Sequence, residues 1–180
     1  MNSEQKFNAI YHEFKVQVYN LALHYLLRTE DAEEVTQDVF VKVHRSMIDF
    51  EERSAMRTWI YRITVNESVD FIRKKNSKKR LFSFGRNAAP ETEYLKLPSY
   101  EHPAALLEQK EGTAILFEAI NKLGDSQKTA FMLSKVEGMP NAEIAAIMEL
   151  SVSAVESLVF RAKKALKEIL SEKFDDLCKD

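Results

Sequence analysis

The sequence predicts an all-α protein made of two small helical domains joined by a flexible linker. Apolar residues recur at three- and four-residue steps over most of the chain, which is the spacing of one helix face. Only 4 Gly and 4 Pro occur in 180 residues, whereas all-β folds are rich in such turn residues. The helical pattern disappears over 81–105, so the predicted domains are 1–80 and 106–180, with a helix-turn-helix at the end of the second.

Composition and charge exclude several classes of function. No stretch approaches the roughly 20 apolar residues of a membrane span, and the opening MNSEQKFNAI lacks a signal-peptide pattern, which predicts a cytoplasmic protein without membrane insertion. Cys178 is the only cysteine and the 4 histidines are scattered, so we expect no metal site and no cofactor. The sequence contains neither paired carboxylates nor a phosphate loop, so we do not expect an enzyme. The net charge of −2 argues against bulk attraction to nucleic acid.

Two amphipathic helices open the first domain. The apolar stripe of the first helix is Phe7, Ile10, Tyr11, Phe14, Val18, Leu21, Ala22 and Tyr25. Thr29 or Asp31 is expected to cap the second helix, whose stripe is Val35, Val39, Val43 and Met47. Phe40 and Val41 lie off this stripe among charged residues, so they fit either an exposed docking surface or a wider core face.

A third helix begins near Met56, with Ser54 as its expected cap, and reads MRTWIYRITVNESVDFIRKK. Its core face can be drawn from Trp59 or Ile60, Ile63, Val69 and Ile72. Basic and aromatic side chains stand around this face, and such a surface can neutralise phosphates and stack an unpaired base. Tyr61, one step off the stripe, is the better stacking candidate, while Trp59 fits the core. The run RKKNSKKR at 73–80 adds six positive charges at the helix end.

Helical spacing returns in the second domain after the linker. Its first helix carries Leu106, Leu107, Ile115, Leu116, Ala119, Ile120 and Leu123. Gly124 is expected to end that helix, Asp125 or Ser126 to begin the next, and Gly138 with Pro140 to close it. Four helices are therefore predicted here, of which the last two form the helix-turn-helix.

The stretch 141–170 has the spacing of two helices that share one core. The first helix carries Ile144, Ala145 and Met148, and the second carries Val155, Leu158, Val159, Ala162, Leu166 and Ile169. Leu150 to Ser153 form the predicted turn, with Asn141 as one cap and Ser151 or Ser153 as the other. The small Ala145 allows a close approach of the helices. A plain helical hairpin in a bundle would show the same apolar spacing.

Positive charge follows the start of the last helix. Its later turns carry Arg161, Lys163, Lys164 and Lys167. These side chains lie where DNA phosphates would be if the beginning of the helix entered a major groove. This arrangement favours DNA binding over a plain helical hairpin.

Three segments in this order resemble a known family: DAEEVTQDVFVKVHR at 31–45, FEERSAMRTWIYRITVNESVDFIRKK at 50–75 and AEIAAIMELSVSAVESLVFRAKKAL at 142–166. Together they span both predicted domains, and the whole chain resembles a bacterial sigma factor of the extracytoplasmic-function group. The resemblance implies a dissociable subunit of core RNA polymerase that recognises promoter DNA and helps to melt it. It also implies an anti-sigma factor that binds both domains and hides their DNA faces.

The resemblance also implies roles for particular residues. A coiled coil of the largest polymerase subunit would contact Glu34, Gln37, Asp38, Phe40, Val41 and Lys42. A base flipped out of the downstream (minus-ten) element would be held by the loop Glu51, Glu52, Arg53, Ser54 and Ala55. The duplex edge and separated strand would meet Arg57, Thr58, Trp59, Tyr61, Arg62, Asn66, Arg73, Lys74 and Lys75. The upstream (minus-thirty-five) element would face Ser153, Glu156, Ser157, Phe160, Arg161 and Lys164.

Two positions depart from the family pattern, because Glu156 and Leu158 stand where relatives often carry basic residues. Glu156 fits either acceptance of a hydrogen bond from a cytosine amino group or a reduction of nonspecific DNA affinity. Leu158 is expected to join the core. Two other classes of protein compete with this interpretation. A stand-alone helix-turn-helix transcriptional regulator would bind its operator strongly by itself, and a protein-binding helical adaptor would carry the same basic residues as ordinary surface.

Overall fold

A computed structural model describes residues 3–47, 55–82, 112 and 115–177, and these residues form helices and short connections without a strand. The all-α prediction is therefore confirmed. The chain divides into two compact units, Met1–Glu93 and Tyr94–Asp180. The predicted linker, 81–105, lies outside the described residues except for Leu81 and Phe82, which continue a helix. Its bounds stay a prediction.

The described residues of unit 1 form a bundle of three helices, α1 (Ser3–Leu26), α2 (Thr29–Ser46) and α3 (Met56–Phe82). Each helix packs against the other two. The predicted stripe of α1 is confirmed by the buried residues Ile10, Phe14, Val18, Leu21, Ala22 and Tyr25. Tyr11 departs from it, since its side chain is 38% exposed. Among these, each fully buried Ile, Phe, Val or Leu side chain contributes about 1.5–3 kcal/mol of transfer free energy.

The core face of α2 is wider than its main stripe. Val35, Val39, Val43 and Met47 are buried as predicted. Phe40 is also buried, and its ring lies 4.8 Å from the Tyr11 ring, whereas Val41 is 46% exposed. The two explanations therefore separate: Phe40 belongs to the core and Val41 to the surface. Thr29 is the first helical residue, and the N-cap position, Arg28, makes no side-chain capping bond, so the predicted cap is wrong.

The core face of α3 differs from the predicted one because hydroxyl residues take part in it. Ile60 is buried as expected, whereas Ile63, Val69 and Ile72 are only half-buried. The other buried residues of this face are Thr58, Tyr61, Thr64, Val65 and Ser68. The Thr64 hydroxyl donates to the Ile60 carbonyl at 2.9 Å, and the Ser68 hydroxyl donates to the Thr64 carbonyl at 2.8 Å. Because each hydroxyl is satisfied within the helix, its burial leaves no unpaired polar group.

Two ion pairs join α2 to α3. The Lys42 ammonium pairs with the Glu67 carboxylate, and the Lys75 ammonium pairs with the Asp31 carboxylate. Glu67 and Asp31 are the less exposed partners, at 12% and 16%. The pairs therefore lie at the rim of the core, where solvent screens them less than it screens freely exposed charges.

The described residues of unit 2 form four helical segments. Residues 115–121 are the described part of α4, and α5 (Asp125–Phe131) continues as a π-helical turn, Met132–Val136. Then follow α6 (Asn141–Met148) and α7 (Val152–Leu177). Helix α7 packs against both α5 and α6, so it is the central element. Among the described helices of both units, none has the length and hydropathy of a bilayer-crossing segment.

The core of unit 2 contains one lysine. Lys128 in α5 is only 6% exposed, and its ammonium donates to Asn121 Oδ1 at 2.5 Å. Burial lowers the pKa of Lys128 from 10.5 to about 8, and the nearby Asp125 carboxylate opposes part of this change. The apolar core also differs locally from the prediction, because Leu116 is 38% exposed and Phe117 is buried next to it.

Candidate nucleic-acid interface

The turn between α6 and α7 is fixed by its own hydrogen bonds. Helix α6 ends at Met148, and its C-cap residue, Glu149, has a left-handed backbone with φ 56°. The Leu150 N–H donates to the Ala145 carbonyl at 3.0 Å. The Ser151 hydroxyl accepts from the Ala154 N–H at 3.2 Å, which confirms the predicted serine cap of α7. Asn141 is the first residue of α6 rather than its cap, which is Pro140. The fold thus holds a compact helix-turn-helix.

The shared core of α6 and α7 closely follows the predicted spacing. On α7 the buried residues are Val155, Leu158, Val159, Ala162 and Leu166. Leu158 joins the core as expected, and Ala145 is buried as well. On α6, Ile147 is buried where Met148 was expected, and Met148 is half-buried. With this face buried, the opposite face of α7 is left for a ligand.

Every residue predicted to face the upstream element is exposed on α7. These residues are Ser153, Glu156, Ser157, Phe160, Arg161 and Lys164. Four of them, Glu156, Ser157, Phe160 and Arg161, line one open depression. Phe160 is 69% exposed, which is unusual for a phenylalanine in a soluble protein. The Arg161 Nε donates to the Ser157 carbonyl at 3.2 Å, so its guanidinium stem lies along the helix.

The charges on α7 are ordered along the helix. Glu156 lies in its second turn, and its Oε1 accepts a hydrogen bond from Asn141 Nδ2 at 3.5 Å. The basic residues follow further on and are all exposed: Arg161, Lys163, Lys164 and Lys167. Helices that enter a major groove contact bases near their beginning and can contact phosphates beyond it. The order of charges on α7 is compatible with that geometry.

The residues predicted to hold the separated strand are distributed differently over α3. Exposed positions are Arg57, Asn66, Arg73 and Lys74, and half-buried ones are Trp59, Arg62 and Lys75. Ala55, which belongs to the loop predicted to hold the flipped base, is also exposed. Thr58 and Tyr61 are buried, at 6% and 2% exposure. The Arg57 guanidinium also lies over the Tyr61 ring, 5.3 Å from its centroid. The prediction of Tyr61 as a surface stacking residue is therefore wrong in this conformation. Glu51, Glu52, Arg53 and Ser54 lie outside the described residues.

The residues predicted to bind polymerase share α2, but they do not form one uniform surface. Glu34, Gln37, Asp38, Val41 and Lys42 are exposed, whereas Phe40 is buried in the core of unit 1. Lys42 is in addition held by Glu67 of α3. A protein partner would therefore meet carboxylates, an amide, one valine and the exposed part of Lys42. Phe40 would support this surface from beneath.

Comparison with known proteins finds a family match for each of the two units. A family model of sigma-70 region 2 matches residues 10–78, and one of sigma-70 region 4 matches residues 113–166. The extracytoplasmic-function RNA polymerase sigma-E factor of Haemophilus influenzae is 30% identical over 168 residues, covering 91% of this chain and 87% of that protein. This chain belongs to the extracytoplasmic-function group of sigma-70 factors. The RNA polymerase sigma-H factor of Pseudomonas aeruginosa is 26% identical over 177 residues, covering 93% and 87%.

Solved structures share the fold of this sigma factor. The sigma factor RpoE of Bartonella quintana, solved with the anti-sigma factor NepR, aligns with a TM-score of 0.69 at 22% identity, over 93% of this chain and 98% of that one. CnrH, solved with the cytosolic domain of CnrY, aligns with a TM-score of 0.65 at 24% identity, over 94% and 90%. At these identities the likeness concerns the fold.

Sequence reasoning missed three contacts made by residues of the predicted interfaces. Asp31 holds Lys75, Glu67 holds Lys42, and Asn141 holds Glu156. No local pattern announces such contacts, because the partners are 44, 25 and 15 positions apart and each lies on a different helix from its partner. Within the described residues, no three His, Cys, Asp or Glu side chains are grouped as metal ligands would be.

Proposed function

We propose that this sigma factor binds core RNA polymerase and directs promoter-specific initiation, with unit 2 reading the upstream duplex and unit 1 opening the downstream element. One observation carries the proposal. The chain joins a sigma-70 region 2 unit to a helix-turn-helix whose free face is exposed and basic toward its far end. A single protein with both parts can hold a duplex and a separated strand at the same promoter.

The upstream contact would be made by the exposed face of α7. Side chains near the start of the helix, Ser153, Glu156, Ser157 and Phe160, would meet base edges in the major groove. Arg161 and Lys164 would neutralise phosphates. In support, all six are exposed, whereas four residues that lie between them in the sequence are buried: Val155, Leu158, Val159 and Ala162. The Phe160 ring has the apolar surface that contacts a thymine methyl group.

The downstream contact would be made by α3 and the loop before it. Residues 51–55 would hold a flipped base, and Arg57, Asn66, Arg73 and Lys74 would hold the strand backbone. With Tyr61 buried, we assign stacking to Trp59, which keeps part of its ring at the surface. Base stacking on an aromatic ring contributes about 1–3 kcal/mol. This offsets part of an unstacking cost of a few kcal/mol, so no hydrolysis by this subunit is needed.

Polymerase would dock on α2, through Glu34, Gln37, Asp38, Val41 and Lys42. The protein would act in the cytoplasm and would have no catalytic groups of its own. The polymerase would carry out RNA synthesis, and this subunit would direct it to promoters. An anti-sigma factor would restrain it by covering both DNA-binding faces. In support of a protein inhibitor, the Bartonella quintana relative was solved in complex with an anti-sigma factor.

Run-off transcription tests the proposal. The purified chain is added to bacterial core RNA polymerase and a pool of promoter fragments, and new promoter-specific transcripts are expected. The matched control is Lys122→Ala, which removes an exposed lysine outside the helix-turn-helix and should leave initiation unchanged. Strong binding of the isolated chain to an operator without new transcripts would favour a stand-alone regulator. Binding to neither polymerase nor DNA would favour a helical adaptor.

A further inference from the structure

One acidic side chain occupies the groove-facing part of α7. Glu156 is the fifth residue of this helix, is exposed, and shares a depression with Ser157, Phe160 and Arg161. Its carboxylate also accepts a hydrogen bond from Asn141 at the start of α6. We propose that Glu156 reads a cytosine in the upstream element. This inference rests on the proposed function and names the base that one residue selects.

The choice of base follows from hydrogen-bonding chemistry. An ionised carboxylate accepts hydrogen bonds and donates none. In the major groove, cytosine offers only a donor, its N4 amino group, whereas guanine offers two acceptors and thymine offers an acceptor and a methyl group. Adenine offers a donor beside an acceptor, so a carboxylate gains one contact and meets one repulsion. Glu156 therefore favours cytosine, accepts adenine less well, and disfavours guanine and thymine.

A purely structural role does not account for Glu156. Its hydrogen bond with Asn141 is 3.5 Å long and exposed to water, so it contributes little to the stability of the helix pair. A carboxylate offers about four lone-pair positions, and this bond leaves room for a base. Negative charge near DNA phosphates weakens binding to every sequence. A hydrogen-bond donor on one base offsets that repulsion at the matching sequence alone.

The proposal is tested by changing the chemistry at this one position. Holoenzyme assembled with the full chain is presented with promoters randomised over the upstream element, and initiation is counted for each base. Wild type should prefer cytosine at one position by about tenfold. Glu156→Gln should shift that preference to adenine, which an amide recognises through N6 and N7, and Glu156→Arg should shift it to guanine. Glu168→Gln, with the same charge change about three turns further along α7, should leave the profile unchanged.

The outcomes separate this inference from the proposed function. Initiation by all variants with one common base profile would overturn the reading role of Glu156. A general rise in initiation with Glu156→Gln at every sequence would assign it to nonspecific repulsion instead, which also overturns the proposal. An absence of transcripts with wild type would count against the sigma-factor activity itself.

Discussion

Helices α3 and α7 are both long, both carry basic residues, and both were predicted to bind nucleic acid, yet they present these residues differently. On α7 all six predicted residues are exposed. On α3, Thr58 and Tyr61 are buried and Lys75 is paired with Asp31. The difference arises because the buried face of α7 is made of apolar residues and one small alanine, whereas that of α3 includes two threonines and a serine.

The contrast teaches how an apolar pattern can mislead. Thr64 and Ser68 bond to carbonyls of their own helix, so they pack in the core without a partner on another element. Their burial turns α3 so that Tyr61 faces inward and Trp59 toward the rim. On α7 no such residues interrupt the stripe, so counting apolar residues locates both of its faces correctly.

The largest effect is expected from Tyr61→Ala. A fully buried aromatic residue leaves a cavity when it is truncated, so unit 1 should lose about 3–5 kcal/mol of its free energy of unfolding. Trp59 is the only tryptophan and lies in α3, so its fluorescence in a urea titration reports unit 1 alone. Tyr11→Ala is the matched control, since Tyr11 is 38% exposed, and it should cost less than half as much. Equal losses of stability in the two variants would contradict the burial of Tyr61, and with it the difference between α3 and α7.

A comparable change of stability is expected in unit 2 from Lys128→Met. The lowering of the Lys128 pKa from 10.5 to about 8 corresponds to a penalty of up to about 3 kcal/mol for the folded, protonated state. Methionine keeps most of the volume without the charge, and it loses the hydrogen bond to Asn121 and the attraction to the Asp125 carboxylate. Near neutral pH the variant should therefore be the more stable protein, by a smaller amount than the full penalty.

The sign of the pH dependence follows from proton linkage. The folded pKa lies below the unfolded one, so between about pH 8 and 10.5 the unfolded state binds more protons. The free energy of unfolding of wild type rises with pH in this window, and the penalty is fully present below it. The advantage of Lys128→Met should thus shrink as pH rises from 7 to 10. Urea titrations followed by circular dichroism measure it, and a constant advantage would contradict the burial of a charged Lys128.

Much of the fold and half of the candidate interface followed from the sequence. The stripes of α1, α2 and α7 consist of apolar residues at helical spacing, and most of these residues are buried because the helices share a core. Caps were less predictable, because Thr29 and Asn141 became the first residues of their helices while Ser151 became a true cap. Contacts between helices, such as Asp31 with Lys75, depend on how whole helices pack, and no local pattern contains that information.

A smaller effect is expected when the exposed basic side of α7 is weakened. Replacing Arg161 and Lys164 together by Ala should lower promoter affinity of the holoenzyme by about tenfold or more at physiological salt. Each lost phosphate contact should also reduce the slope of log affinity against log salt by about 1. Filter binding at several salt concentrations measures both quantities, and Lys122→Ala provides the control. An unchanged salt slope would place both residues outside the DNA interface. The exposed face of α7 would then give no better prediction of DNA contacts than that of α3.

The smallest effect is expected from Asp31→Asn, which tests whether the pairing of Lys75 restrains α3. Without the carboxylate, the Lys75 ammonium becomes available for a phosphate, so affinity for single-stranded DNA should rise about threefold and the salt slope by less than 1. The lost ion pair should destabilise unit 1 by no more than about 1 kcal/mol. Glu67→Gln makes the same charge change and releases Lys42 on α2 instead. Because Lys42 is assigned to polymerase binding, equal gains in both variants would show that total charge, rather than the position of Lys75 on α3, governs the contact.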